Sequence, residues 1–242
     1  MPFFYLTGER REKATKHVYI AIRAYGDLKA GCVSAINAVQ HDLLRNDISV
    51  DVAILSGQCN ADDAINDLCR MFLESDATHI MIVDADVTCS PGAVTKLLSF
   101  DEDIVCGVYP FKNDDEGYPV FYHDPDRVEF NDKGLIDVRS APGGFMCIVR
   151  HVIERLYKKA AKKSSWQTKG DYGTLPVVEI FHRTVEKGNE RSPGDYTFCT
   201  KAIQAGYKVH VAPFLTLSHI GDKIWTGCLQ THILHKVGIK DD

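Results

Sequence analysis

No two cysteines in the chain are spaced C-x-x-C, and no stretch of about 18 uncharged apolar residues could cross a bilayer. Neither an internal repeat nor a low-complexity tract is present. The first absence excludes a zinc knuckle and a thioredoxin-type redox pair. The eight cysteines are scattered, mostly inside apolar runs such as residues 103–108 and 144–149, where a thiol behaves as a small buried hydrophobe. That usage fits a reducing, cytoplasmic setting. The N-terminus reaches Glu9, Arg10, Arg11 and Glu12 without an apolar region of signal-peptide length, so the expectation is a protein with no membrane span. A basic excess is missing too. The net charge is −5, so no global field draws the chain to nucleic acid or anionic lipid. Residues 158–169, with five lysines, form the best local basic run, and such runs are commonly solvated helix faces.

What is present is ordinary globular composition, 45% hydrophobic and 25% charged, with enough length for one large core. Residues 17–23 (HVYIAIR) read as a buried strand, and residues 29–46 place Cys32, Ile36, Val39 and Leu43 at helical spacing. A second strand at 49–55, a helix from Asp62 to Glu74 and a third strand at 79–83 (HIMIV) follow. Ser90-Pro91 has the form of an N-cap and first-turn proline opening a helix to Leu98, before a fourth strand at 103–108. Strands alternating with helices predict a mostly parallel sheet with helical crossovers, whose ligands bind at the carboxyl ends of the strands. The second half changes character. Short runs at 119–123, 127–130 and 134–139 suggest hairpins; Gly143-Gly144 precedes a strand at 145–149 and a helix from His151 to Lys162. Residues 164–176 read as a polar, mobile loop. Ser192-Pro193 repeats the helix-start signal for a helix ending at Gly206, and runs at 207–212 and 214–218 are expected to complete the sheet. Without a linker-like boundary, residues 1–242 read as a single domain: a nucleotide-binding half over 17–110, a completing half over 111–221, and a tail or helix over 222–242.

The chemistry centres on Asp84-Ala85-Asp86. Asp-x-Asp alone is uninformative, since Asp101-Glu102-Asp103 and Asp124-Pro125-Asp126 match it as well. Context separates the first: it directly follows the apolar strand HIMIV, so its carboxylates stand at the ligand-binding edge. Two carboxylates there repel one another unless a cation or proton intervenes, and oxygen ligands suit Mn²⁺ or Mg²⁺, which can bridge a diphosphate. Further on stand Asp195, in the first turn of a predicted helix where the dipole favours an anion, and His219, at the end of an apolar run. Each alone is explained as well by structure as by function.

Taken together, THIMIVDADVTCSPGAVTKLL, GGFMCIVRHVIERL and SPGDYTFCTKAIQAGYKVHVAPFLTLSHIG resemble the GT-A family of glycosyltransferases, over about residues 17–221. The resemblance is to the small soluble members of bacteria, phages and large viruses, which for a viral chain implies the host cytoplasm. It implies an α/β, Rossmann-like nucleotide-diphospho-sugar transferase fold with a small second antiparallel sheet. It also implies a divalent metal, Mn²⁺ or Mg²⁺, held by Asp84, Asp86 and His219, a UDP- or GDP-sugar donor, and Asp195 as general base of an inverting transfer. Donor contacts implied by topology and resemblance are Ala21, Arg23, Ala24, Tyr25, Asp62, Asn66 and the Asp84-Ala85-Asp86 triplet. Gly143 and Gly144 would let backbone approach the sugar or acceptor, or simply make a tight turn. Trp166 would be an acceptor platform or a loop anchor. The hydroxyl acceptor is a glycan, a protein or a modified (hydroxymethylated) DNA base.

Three positions depart from the family pattern: Gly194-Asp195 stands for Glu-Asp, Ala64-Ile65-Asn66 for Ala-Arg-Asn, and Arg23-Ala24-Tyr25 for Pro-Thr-Tyr. An acidic partner and a basic contact are thereby missing, and Arg23 either meets a phosphate or lies on the surface. Two other readings share the features. A sugar-nucleotide nucleotidyltransferase would need a glycine-rich basic loop, which residues 23–31 lack. A non-catalytic nucleotide-sugar binding protein would bind donor without transfer.

Overall fold

The computed structural model describes residues 3–6, 14–167, 173–185 and 190–238. Glu9 to Glu12, Lys169 and the middle of the polar loop at 164–176 therefore lie outside the described residues. Strands β1 (Phe3–Leu6), β2 (His17–Ala24), β3 (Ser49–Ser56), β4 (His79–Asp84), β5 (Val87–Cys89), β6 (Ile104–Cys106) and β7 (Phe121–Tyr122) come from the first half. Between them run helices α1 (Ala30–Arg45), α2 (Ala61–Glu74) and α3 (Ala93–Leu98). The rest of the chain supplies β8 (Ile136–Ser140), β9 (Phe145–Val149), α4 (Arg150–Ala160), β10 (Ser165–Trp166), β11 (Val177–Val178), β12 (Thr184–Val185) and β13 (Arg191–Ser192). Then follow α5 (Gly194–Gln204), β14 (His210–Val211), β15 (Thr216–Ile220), β16 (Ile224–Cys228) and α6 (Leu229–Lys236).

Nine strands form one sheet in the order β1-β3-β2-β4-β9-β6-β14-β8-β7. Strands β3, β2 and β4 are parallel neighbours. Their largely apolar sequence, broken inside β3 by the buried Asp51, is explained by burial on both faces. Tyr19 and Ala21 of β2 point to one core cluster with Ile65, Leu68 and Phe72 of α2, whereas Val18, Ile20 and Ile22 point to a second with Ile36, Val39 and Leu43 of α1. The fold class expected from the sequence is the one observed: a mixed α/β structure around a large, mostly parallel sheet with small antiparallel sheets beside it.

Several expectations need correction. Strand β9 lies antiparallel between β4 and β6, so the fourth strand of the first half does not pair with the third. The run at 214–218 does not complete the main sheet. It belongs to β15, which forms a separate three-stranded sheet, β16-β15-β5, with the residues just after Asp86. Of residues 127–130, only Phe130 pairs, through a single bridge to Ile136. Both expected serine caps are displaced. The Ser90 carbonyl accepts from the Ala93 amide in a turn through Pro91, and Gly92 caps α3; Pro193 caps α5, with Ser192 in β13. The C-terminal end of α5 is as expected. Gly206 adopts φ +92°, its amide reaches the Ile203 carbonyl and the Tyr207 amide the Ala202 carbonyl. Residues after 221 form β16 and α6, where the His232 ring packs edge-on against Tyr118. Among the described residues no helix is long and apolar enough to cross a membrane.

Asn66 ties the two halves together. Fully buried on α2, it donates to the Phe181 carbonyl at 2.7 Å and accepts from the Ile180 and Phe181 amides at 3.0 and 2.9 Å. The Phe181 ring so positioned stacks on Phe198 of α5, centroids 4.5 Å apart. Truncation would leave the Phe181 amide and carbonyl without partners, while the Ile180 amide would keep its bond to the Val178 carbonyl at 2.8 Å. Asn66→Ala is expected to cost about 3 kcal/mol, read as a lower urea midpoint at unchanged slope.

Candidate active site

Strands β2 and β4 run in parallel register, which sets Arg23 opposite Asp84 at their carboxyl ends. The two side chains form a two-pronged ion pair, Nε to Oδ1 at 2.5 Å and Nη2 to Oδ2 at 3.2 Å. Burial alone would lower the Arg23 pKa, but the adjoining Asp84 carboxylate carries it above its ordinary value. Asp84 also accepts from the buried Tyr109 hydroxyl at 3.4 Å, and its amide donates to the Gly144 carbonyl. Arg23 is thus held at the strand edge by Asp84, its side chain 19% exposed.

Asp86 faces another way. The Ile220 amide donates to the Asp86 carbonyl at 2.7 Å, and β5 pairs with β15 so that Val87 lies opposite His219. This ladder brings His219 Nε2 to 3.7 Å from Asp86 Oδ1. The opposite ring nitrogen, Nδ1, donates to the Pro110 carbonyl at 3.0 Å, leaving the Nε2 lone pair toward the carboxylate. Burial holds the imidazole below its ordinary pKa despite that hydrogen bond. Tyr109 backs it edge-on at 4.7 Å. The remaining Asp86 oxygen accepts from Lys112 Nζ at 2.5 Å. Asp86 and His219 therefore fit a divalent cation by donor chemistry and approach. Asp84 is turned instead to Arg23. Among the described residues, the one His, Cys or carboxylate triplet with ligand atoms all within 4.8 Å is His17, Asp51 and Asp76, at the opposite end of the sheet.

Asp195 is partly buried at the start of α5. Its carboxylate accepts from the Gly143 amide at 3.0 Å and from the Tyr196 amide at 3.0 Å. Burial raises its pKa in spite of both bonds and of the Arg23 charge nearby. The glycine pair before β9 is there for space. A Cβ on Gly144 would lie 2.2 Å from Asp84 Oδ2 and 2.3 Å from the Tyr109 hydroxyl; one on Gly143 would press on Asp195 Cβ at 3.0 Å. Gly194 has the same origin. A Cβ there would fall 2.3 Å from Asp62 Oδ1, so the Asp62 carboxylate fills the space into which a residue-194 side chain would project.

A cavity of about 430 Å³ opens over this edge, lined by Arg23, Tyr25, Lys29, Gln58, Asp84 and Asp86 among others. Ala24 and Ala85 line it as well. Tyr25, 80% exposed, stands at its rim. Three residues predicted to meet the donor do not line it. Ala21 is sealed within β2, Asn66 is committed to backbone, and Asp62 faces Arg183 at 3.3 Å. Trp166 pairs with Val177 in the β10–β11 ladder, also away from this cavity. Lys112, Tyr109 and Pro110 escaped the sequence reading. They follow the fourth strand in a stretch with no period, and the one signal was its position at the carboxyl edge.

No family model matches the chain, and no curated protein matches it in sequence. Among solved structures it is similar to A197 from STIV, at 19% identity and a TM-score of 0.56, over 89% of this chain and 91% of that one. A weaker likeness, 11% identity and TM-score 0.47, relates 85% of this chain to 43% of GalNAc-T7, whose structure contains UDP, GalNAc and Mn²⁺. The first likeness spans nearly all of both chains and shows a shared fold.

The crowding at Gly144 yields a test. Gly144→Ala is expected to lose roughly 1–3 kcal/mol by thermal denaturation, since Asp84 and Tyr109 must both move. Gly26→Ala, with nothing within 4 Å of the added carbon, should stay within about 0.5 kcal/mol of the parent.

Proposed function

We propose that the chain is a metal-dependent glycosyltransferase, moving a sugar from a UDP- or GDP-sugar to a hydroxyl acceptor with inversion. The observation that carries this is that Arg23 and Asp86 line one donor-sized cavity, with His219 3.7 Å from Asp86 and Asp195 close enough to feel the Arg23 and Asp84 charges. Asp86 and His219 would hold Mn²⁺ or Mg²⁺, which when bound supplies a Lewis acid for the charge of the departing nucleoside diphosphate. Arg23, fixed by Asp84, offers a preorganised cation to the same phosphates. Tyr25 presents an exposed aromatic face to the base, and Gln58 an amide to its polar edge. Asp195 accepts the proton of the acceptor hydroxyl as its oxygen bonds to the anomeric carbon and the bond from that carbon to the phosphate oxygen breaks.

Asp195 must be ionised to act, and its raised pKa moves the acidic limb of kcat/KM upward from that of a free aspartate; below that limb the rate falls tenfold per pH unit. Linkage runs the other way for stability. A raised folded-state pKa means that the protonated form is favoured by folding, and the benefit is lost as pH rises through that value. Asp195→Asn should therefore cut transfer about 10²–10⁴-fold with no fall in thermal stability at neutral pH. A panel of UDP- and GDP-sugars, incubated with Mn²⁺ or with chelator, tests the class through nucleotide release. We expect metal-dependent turnover of one donor, abolished in Asp86→Ala and His219→Ala. Binding of nucleotide without any release would leave a binding protein, and no nucleotide binding at all would end the reading.

A further inference from the structure

A second cavity, of about 530 Å³, adjoins the start of α5. Its walls include Phe121, Arg139, Ser140, Glu190, Arg191 and Tyr196. Two connections tie it to Asp195: Tyr196 is the next residue, and Ser140 ends the strand leading to Gly143, whose amide holds the Asp195 carboxylate. Its surface is both aromatic and cationic. Phe121, 42% exposed, meets Tyr196 edge-to-face with centroids 5.0 Å apart, and the Arg139 guanidinium lies 5.5 Å from the Phe121 centroid. Neither Arg139 nor Arg191 has a carboxylate within ion-pair distance among the described residues, although the whole chain carries net charge −5. Two guanidiniums without ion-pair partners in one aromatic-walled cavity form a site for an anion attached to a ring.

We propose that this cavity is the acceptor subsite, and that the acceptor is an anionic sugar. Its ring packs against Phe121 and Tyr196, and its carboxylate or phosphate is held by Arg139 and Arg191. The assignment rests on the glycosyltransferase reading for the reaction, while the binding it asserts is independent of turnover. Planar, forked guanidiniums suit both carboxylate and phosphate oxygens, so the two anions share one chemistry here. Glu190 stands in the same wall but beyond ion-pair distance of both guanidiniums, and a neutral glycan would bring neither of them a counter-charge.

The test has a binding arm and a transfer arm. Methyl glucoside, methyl glucuronide, glucose 6-phosphate and a hydroxymethylcytosine oligonucleotide are titrated into the protein by NMR, then offered as acceptors with the donor found to turn over. We expect the anionic sugars to bind at least tenfold more tightly than methyl glucoside, and the pair to show which anion is preferred. Arg139→Gln and Arg191→Gln should each weaken that binding about tenfold and raise the acceptor KM equally, while nucleotide affinity stays unchanged. Equal binding of neutral and anionic sugars, no effect of either variant, or productive use of the oligonucleotide alone would overturn the proposal. Loss of nucleotide binding or donor turnover in the parent would instead defeat the glycosyltransferase reading, with the binding arm still deciding the subsite.

Discussion

The ion pair between Arg23 and Asp84 is the constraint around which the site is arranged. Partly buried charges of this kind must be matched, because removing one partner leaves the other desolvated at a cost of roughly 3–5 kcal/mol. Parallel register supplies the match here, and its neighbours follow from it. Residue 144 has to be glycine because the paired carboxylate and the Tyr109 hydroxyl occupy the space where its side chain would begin. The same ion pair ties Asp84 to Arg23, while Asp86 lies with His219 and Lys112.

Electrostatic balance explains how so many acids gather at one sheet edge. Asp84 is answered by Arg23 and Asp86 by Lys112, whereas Asp195 is answered chiefly by backbone amides and keeps a raised pKa. A carboxylate that remains proton-hungry among neutralised ones is the group suited to take up a proton.

Much of this was legible before any coordinates. The apolar runs of β2, β3 and β4 and the helical spacing of α1 and α2 are local patterns, and the position of Asp84 and Asp86 at a strand end follows from them. What local pattern could not carry was pairing. Nothing in residues 145–149 says that the strand inserts antiparallel between β4 and β6, and the three residues of β5 are too short to read as a strand until β15 lies beside them. The departures from the family pattern likewise make sense only in space. Gly194 adjoins Asp62 from another helix, and the cation missing from the second helix has a counterpart in Arg23 on β2.

The ladder between β5 and β15 also bears on how the molecule comes together. It joins residues about 130 positions apart, the widest separation of any strand pairing among the described residues. The first three parallel strands close over far shorter distances and bury most of their apolar surface without it. The half of the site that Asp86 shares with His219 therefore hangs on the contact with the greatest entropic penalty. A chain with its first parallel strands formed but this closure still open would be compact and would hold Asp86 and His219 apart.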